Sequence, residues 1–283
     1  MNVWPPPWHL VERAVEAALE EDLGAAGDVT TAALVDPTVP GLASVRFREG
    51  GVLAGTWVGD AICERFDLMI AWDRGDGDTV DAGTTVCEVE GTMADILTAE
   101  RTLLNFLCHL CGVATLTRRF VDVLVDAAGT RAPLLRDTRK TTPGLRALEK
   151  AAVRCGGGAN HRMGLYDAIL VKDNHLAAFG ADMAQVVAAA RTQFPGVPLE
   201  IEADTAEQAV AAAEAGCDLV LVDNMTPAQV RDTVAAVGGR CRIEVSGGVT
   251  LESAPDYATA GADFIAVGAI THSAPAVDIG LDL

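Results

Sequence analysis

Leu199-Glu200-Ile201-Glu202, Leu219-Val220-Leu221-Val222-Asp223, Cys241-Arg242-Ile243-Glu244-Val245 and Phe264-Ile265-Ala266-Val267 are short apolar runs that begin 20, 22 and 23 residues apart. Ala-rich stretches with helical spacing fill the intervals. Near-continuous apolar strands alternating with helices mean β-α units around a parallel sheet whose strands are covered on both sides. A fifth run, Ala168–Val171, precedes them. Such even repetition favours a barrel. A Rossmann-type open sheet is the alternative, weakened because the chain has neither a G-x-G-x-x-G nor a Walker loop.

In α/β barrels the chemistry collects at the carboxyl ends of the strands. Ala168–Val171 runs into Lys172-Asp173-Asn174-His175, Leu219–Val222 into Asp223-Asn224, and Cys241–Val245 into Ser246-Gly247-Gly248. The last strand ends at Val267-Gly268-Ala269 and continues to Thr271-His272. Glu200 and Glu202 are two apart and share one face of their strand. Ser246–Gly248 followed by Val267–Ala269 fits a phosphate grip of free backbone N–H groups, in which glycine permits close approach. Two tight turns would leave the same trace. Glu202 and Asp223, on neighbouring strands, suit sugar hydroxyls or Mg²⁺. Glu200 either shares the barrel interior with Glu202 or pairs with a structural Arg.

Only three lysines occur, and Lys140 and Lys172 bracket the densest cationic stretch. Residues 131–172 hold nine Lys or Arg against three acids, a net +6 within a chain of −19. A compact cationic window in an acidic chain predicts a site for a small, multiply charged anion. Nucleic acid would need basic groups spread along a surface, and the excess acid also disfavours anionic membranes. Arg139 beside Lys140 offers a planar fork and a compact point charge.

The remaining sequence is consistent with an intracellular globular chain. The first thirty residues lack a basic start followed by an apolar block, so no signal peptide is read. The longest stretch without formal charge, Thr102–Thr117, is sixteen residues, short for a membrane span and suited to a buried helix. Seven Cys without framework spacing fit a reducing compartment. Cys108-His109-Leu110-Cys111 has the C-x-x-C form but no second pair, which favours packing over metal or redox chemistry. Trp4-Pro-Pro-Pro-Trp8 reads as a stiff, non-helical arm, followed by an amphipathic helix from Leu10. Asp28–Thr31 breaks that helix. Residues 43–92 alternate or are β-branched between Gly turns, which predicts antiparallel sheet with one helix over 60–70, and the chain then reads as helical to about Leu124.

Four strings are longer than spacing arguments require: Asp137-Thr-Arg-Lys-Thr-Thr-Pro-Gly-Leu-Arg146, Gly156-Gly-Gly-Ala-Asn-His-Arg162, Val171-Lys-Asp-Asn-His175 and Ala99-Glu-Arg-Thr-Leu-Leu-Asn-Phe106. Together they strongly resemble the quinolinate phosphoribosyltransferases, and the likeness extends from Glu20–Gly24 to Asp278–Asp282. The resemblance implies an N-terminal α/β sandwich (1–112), an incomplete, TIM-like parallel α/β barrel (113–270) and a C-terminal tail (271–283) returning to the first domain. It implies transfer of phosphoribose from 5-phosphoribosyl-1-diphosphate (PRPP) to quinolinate with Mg²⁺, releasing diphosphate and CO₂, in a cytoplasmic homodimer or larger assembly. Arg101, Thr138, Arg139, Lys140, His161, Arg162 and Lys172 would bind substrate, Arg101 reaching in from the neighbouring subunit. Lys140, Lys172, Glu202 and Asp223 would be catalytic, the two carboxylates also holding metal. Ser246, Gly247, Gly248, Val267, Gly268, Ala269 and His272 would hold phosphate. Cys111 and Cys155 depart from the expected Ser or Thr without touching these roles. Two alternatives accompany this reading: a molybdenum-transport-associated paralogue of the same fold, and a Schiff-base lyase using Lys172.

Overall fold

The structure, a computed structural model, describes residues 4–180 and 182–283; residues 1–3 of the expected N-terminal domain lie outside the described residues. Along the chain come α1 (Trp8–Leu23), α2 (Val29–Leu34), β1 (Pro40–Phe47), β2 (Gly51–Val52), α3 (Thr56–Arg65), β3 (Met69–Trp72), β4 (Thr79–Val80), β5 (Thr85–Thr92) and α4 (Met93–Ala128). Next are β6 (Leu134–Arg136), α5 (Arg146–Cys155), β7 (Ile169–Val171), α6 (Asp173–Phe179), α7 (Met183–Gln193), β8 (Leu199–Ala203), α8 (Ala206–Ala215) and β9 (Leu219–Asp223). The chain closes with α9 (Pro227–Val237), β10 (Arg242–Ser246), α10 (Ala254–Ala258), β11 (Phe264–Ala266), α11 (Ala269–His272) and β12 (Ile279–Asp282). These elements form two compact units, one of Met1–Arg118, Thr141–Gly157 and Ala269–Leu283, the other of Arg119–Lys140 and Gly158–Gly268.

The first unit is built on an antiparallel sheet of order β12-β1-β5-β3, with a separate β2-β4 pair. In β1, Gly41, Ala43, Val45 and Phe47 are buried between more exposed neighbours, the period of two that a half-covered strand requires. In α1, Val11, Ala14, Val15 and Leu19 are buried, at helical spacing. The uncharged stretch of α4 is core: Leu103, Leu104, Leu107, Leu110, Cys111, Val113 and Ala114 are all buried. The last strand, β12, pairs with β1 from Ser44↔Asp282 to Phe47↔Ile279. Among the described residues, no helix is long and apolar enough to cross a membrane.

Several local expectations needed adjustment. The Pro-rich arm ends one residue early, because Trp8 already opens α1 with Pro7 as its N-cap. The first helix ends at Leu23, with Gly24 as its C-cap, before the expected break at Asp28–Thr31; Asp28 instead starts a new helix, its Oδ1 accepting from the N–H groups of Thr30 and Thr31. The single helix expected over 60–70 runs instead from Thr56 to Arg65, and Met69 and Ile70 belong to β3. The long helix continues to Ala128, beyond the expected Leu124.

The second unit contains the parallel sheet, in the order β6-β11-β10-β9-β8-β7. From β7 to β11 each strand lies beside its predecessor in sequence, a singly wound order that never reverses as a Rossmann sheet does. The earliest strand, β6, then pairs with the last, Leu134↔Phe264 to Arg136↔Ala266. The ring is therefore continuous except at one seam between β6 and β7. Ala159 bridges onto the free edge of β6 at Arg136, with its N–H bonded to Leu135 O at 2.8 Å. β6 went unread in the sequence because three residues after a proline carry no period.

Candidate active site

The carboxyl ends of the second unit's strands surround a cleft of about 390 Å³ lined by Thr138, Arg139, Lys140, His161, Arg162, Leu170, Lys172, Glu202, Leu221, Asp223, Glu244, Ser246 and Ala266. Nine of the residues singled out in the sequence meet there. Three come from the loop after β6, two from the segment that follows the Ala159 bridge, and the others from the ends of β7, β8, β9 and β10. Gly247, Gly248, Val267 and Gly268 follow the ends of β10 and β11 without lining the cleft. Arg101, Ala269 and His272 belong to the first unit, where Arg101 is exposed on α4 and His272 Nδ1 lies 2.7 Å from Ser273 Oγ.

Local geometry explains the placement. Lys172, at the end of β7, is ion-paired with Glu202 at the end of β8. Its backbone N–H bonds His175 Nδ1 at 3.0 Å, so the first turn of α6 holds the lysine backbone. Asp223 accepts from Asn224 Nδ2 at 2.6 Å, and Asn224, at φ 55°, turns its own N–H to Ser246 O at 2.9 Å. Gly247 is needed at the facing position: its φ is +96°, and a Cβ there would lie 2.2 Å from Asn224 Oδ1. Val267 is buried, and its N–H is spent on Arg136 O at 3.0 Å. Any phosphate beside it must be met by other N–H groups.

Two of the lining residues, His161 and Glu244, join Glu200 in a buried charged cluster. Glu200, Glu244 and His161 are all buried. His161 Nε2 is 2.8 Å from Glu200 Oε2 and 3.4 Å from Glu244 Oε1, while Arg136 Nη1 bonds Glu244 Oε2 at 2.5 Å. The pleat thus turns Glu200 to the same side as Glu202, and its partner is a histidine rather than an arginine. Buried Asp137 accepts the His161 N–H at 2.9 Å and the Asn160 amide at 2.5 Å. Burial, and after it the facing charge of Glu200, pushes the Glu244 carboxyl up to about 7 against the pull of His161 and Arg136. Arg162 is held below the usual guanidinium range by burial and then by the neighbouring charge of Arg139. On the acidic rim, the Asp204 carboxyl is raised by desolvation and then by Asp173, Glu202 and Asp223. Two signals escaped the sequence reading here: Arg136 was counted only as one more cation, and Glu244 was hidden inside an apolar strand.

The cationic segment divides. Arg139, Lys140, Arg162 and Lys172 line the cleft. Arg146, Lys150 and Arg154 instead belong to the first unit, where Lys150 is fully buried and Arg154 Nη2 bonds Trp4 O at 2.7 Å. Also in that unit, buried Glu149 accepts from Thr142 N–H at 3.0 Å and lies 2.9 Å from His109 Nε2. The cysteines stay out of the chemistry. All seven are free thiols, and burial raises every one, Cys63 and Cys217 to about 12. Cys111 exchanges contacts with the Ala54 backbone, as a packing residue would.

Residues 28–111 match the quinolinate phosphoribosyl transferase N-terminal domain, and residues 113–282 the C-terminal domain of the same family. The chain belongs to the quinolinate phosphoribosyl transferase family. Among curated members, it is 42% identical to the nicotinate-nucleotide pyrophosphorylase [carboxylating] of Mycobacterium leprae, over 95% of each chain. It is 38% identical to the probable enzyme of that name from Bacillus subtilis, over 93% of this chain and 90% of the relative. Among solved structures, nicotinate-nucleotide pyrophosphorylase from Francisella tularensis superposes with a TM-score of 0.91 at 36% identity, covering 100% of this chain and 99% of the other. NadC from Streptococcus pyogenes gives 0.91 at 37%, covering 98% and 97%. Three of the four strings that carried the sequence resemblance supply the cleft's cations; the fourth, Ala99–Phe106, lies in the first unit.

Proposed function

We propose that this chain transfers the phosphoribosyl group of PRPP to quinolinate with loss of CO₂, forming nicotinate mononucleotide and diphosphate for NAD synthesis. One observation carries the reading: four cations and three carboxylates, brought by the ends of several strands, converge on a single cleft. A diacid and a diphosphate ester need that concentration of positive charge to enter a chain of −19. Charge-assisted hydrogen bonds contribute roughly 1.5–3 kcal/mol each, so four or five suffice to hold both anions. Cations beside the departing diphosphate stabilise its growing charge, and the carboxylates of Glu202 and Asp223 tolerate the electron-poor ribose. Attack by the ring nitrogen on ribose C1 makes a pyridinium, an electron sink from which the adjacent carboxylate leaves as CO₂. Lys172 is engaged as a charged partner of Glu202, whereas a Schiff base requires a neutral amine, so the lyase reading gains no support.

Mg²⁺ fits the donor set. Glu202 and Asp223 present oxygens from adjacent strands, and the crowding of Asp173, Asp204, Glu202 and Asp223 is of the kind a divalent cation relieves. When bound, the ion would be held by Glu202 and Asp223 and would neutralise negative charge on the substrate. We further propose a cytoplasmic homodimer or larger assembly in which Arg101 serves the neighbouring subunit's cleft. Seven free thiols suit a reducing compartment.

The test is incubation with quinolinate, PRPP and Mg²⁺, following CO₂ release and nicotinate mononucleotide, with nicotinate as the control co-substrate. Product from quinolinate alone is the expected result. Equal turnover of nicotinate would show that no cation is devoted to the second carboxylate.

A further inference from the structure

Both ring nitrogens of His161, a residue that lines the cleft, have partners within the protein. Nδ1 accepts the Arg162 N–H at 2.7 Å, which places the ring proton on Nε2, and Nε2 faces the buried pair Glu200 and Glu244. Arg162 is fixed at both ends, by that N–H and by Nη1 to Ala168 O at 3.0 Å. A chain of contacts therefore runs from the buried carboxyls to the Arg162 guanidinium. Resting on the function proposed above, we propose that Glu244 is a positioning residue: with Glu200 it holds the His161 imidazole in the Nε2–H tautomer, and through Nδ1 that ring fixes the backbone of Arg162 for the quinolinate carboxylates.

Geometry assigns the two carboxyls different states. Glu200 Oε2 makes the closer contact to Nε2 and acts as the acceptor. Glu244 Oε1 stands 3.4 Å from the same nitrogen, and both Glu200 Oε1 and Glu244 Oε1 are buried without a hydrogen-bond partner. Two carboxylates at this spacing, in a layer that excludes water, are at odds unless one carries a proton. Glu244 is that one, in accord with its raised pKa. The charged groups facing Glu244 are Arg136 from β6, Glu200 from β8 and His161 from the segment after Ala159. The Phe264 ring, 4.3 Å from the Arg136 guanidinium, braces that partner from β11. The ligand atoms of His161, Glu200 and Glu244 also lie within 4.8 Å of one another, a spacing a metal ion could use. Arg136 on Glu244 and the use of Nδ1 by Arg162 favour the hydrogen-bonded reading.

Wild-type turnover of quinolinate with PRPP is the control, and its failure would remove the functional reading rather than this one. Given turnover, Glu244→Ala should raise the KM for quinolinate about tenfold and leave the KM for PRPP within twofold. Glu244→Gln, whose amide can accept from Arg136 and donate to Glu200, should recover most of that loss. The wild-type KM for quinolinate should also climb above pH 7 as Glu244 ionises, a rise the Gln variant lacks. That pH comparison decides the matter even if the Ala variant fails to fold. An equal rise in both KM values, a Gln variant as impaired as Ala, a pH profile shared by wild type and Gln, or a stoichiometric metal ion in the purified protein that the Gln variant loses would each overturn the proposal.

Discussion

Single side chains in this molecule answer to charge and burial before anything else. Lys172 illustrates the case of a residue proposed to act in catalysis. Paired with Glu202 at the cleft, it supplies one charge-assisted contact, so Lys172→Ala should lower kcat/KM roughly ten- to hundredfold, at about 1.4 kcal/mol per decade. Steady-state assays check the size. Mass spectrometry of the stalled enzyme should show no ribosyl-lysine, since nothing in the proposed chemistry uses a covalent nucleophile. Glu244 illustrates the buried case. Its carboxyl is raised from 4.5 to about 7, so between those values the native state holds a proton that the unfolded chain releases. Stability must then fall as pH climbs through that window. Glu244→Gln removes the titrating group, and thermal melts from pH 4.5 to 7.5 should decline less for the variant than for the wild type.

Elements owe their ends to local signals that the sequence displays openly. Thr226 caps α9, its Oγ1 accepting the Gln229 N–H while the Gln229 side chain returns to the Thr226 N–H, with Pro227 in the first turn. Thr226→Ala should cost about 1 kcal/mol in denaturant unfolding with the slope of the transition unchanged. Gly247 is the opposite kind of signal, a residue whose necessity depends on a neighbouring strand. With φ at +96° and Asn224 against it, Gly247→Ala must displace the turn after β10. The KM for PRPP should rise more than that for quinolinate, read by varying each substrate in turn. The difference explains what could be read beforehand. Glu202 and Asp223 announce themselves as charges ending apolar runs, whereas Glu244 sits mid-strand and looks like surface until β6, β8 and His161 are seen around it. β6 itself is too short for any period and exists because β11 offers it an edge.

At the scale of the whole molecule, the chain departs from a simple series of domains. Residues 141–157 leave the barrel unit to pack as α5 in the first unit, taking Arg146, Lys150 and Arg154 with them. Arg101, exposed on α4 of that unit, is the residue proposed to serve a neighbouring subunit. If it does, Arg101→Ala and Lys172→Ala should each be strongly impaired alone, yet mixed subunits should recover up to about a quarter of wild-type activity, because some assemblies regain one intact cleft. No recovery after co-expression would confine the cleft to one chain.

The amino-acid sequence by itself determined the β-α rhythm, the barrel, the strand-end carboxylates and the presence of a compact cationic window, because each rests on period, spacing or charge within a few residues. Tertiary structure decided which cations share the cleft, where the barrel's seam lies and what His161 faces. Those outcomes depend on pairings such as Arg136 with Glu244, 108 residues apart, made where buried charge must find a partner or carry a proton.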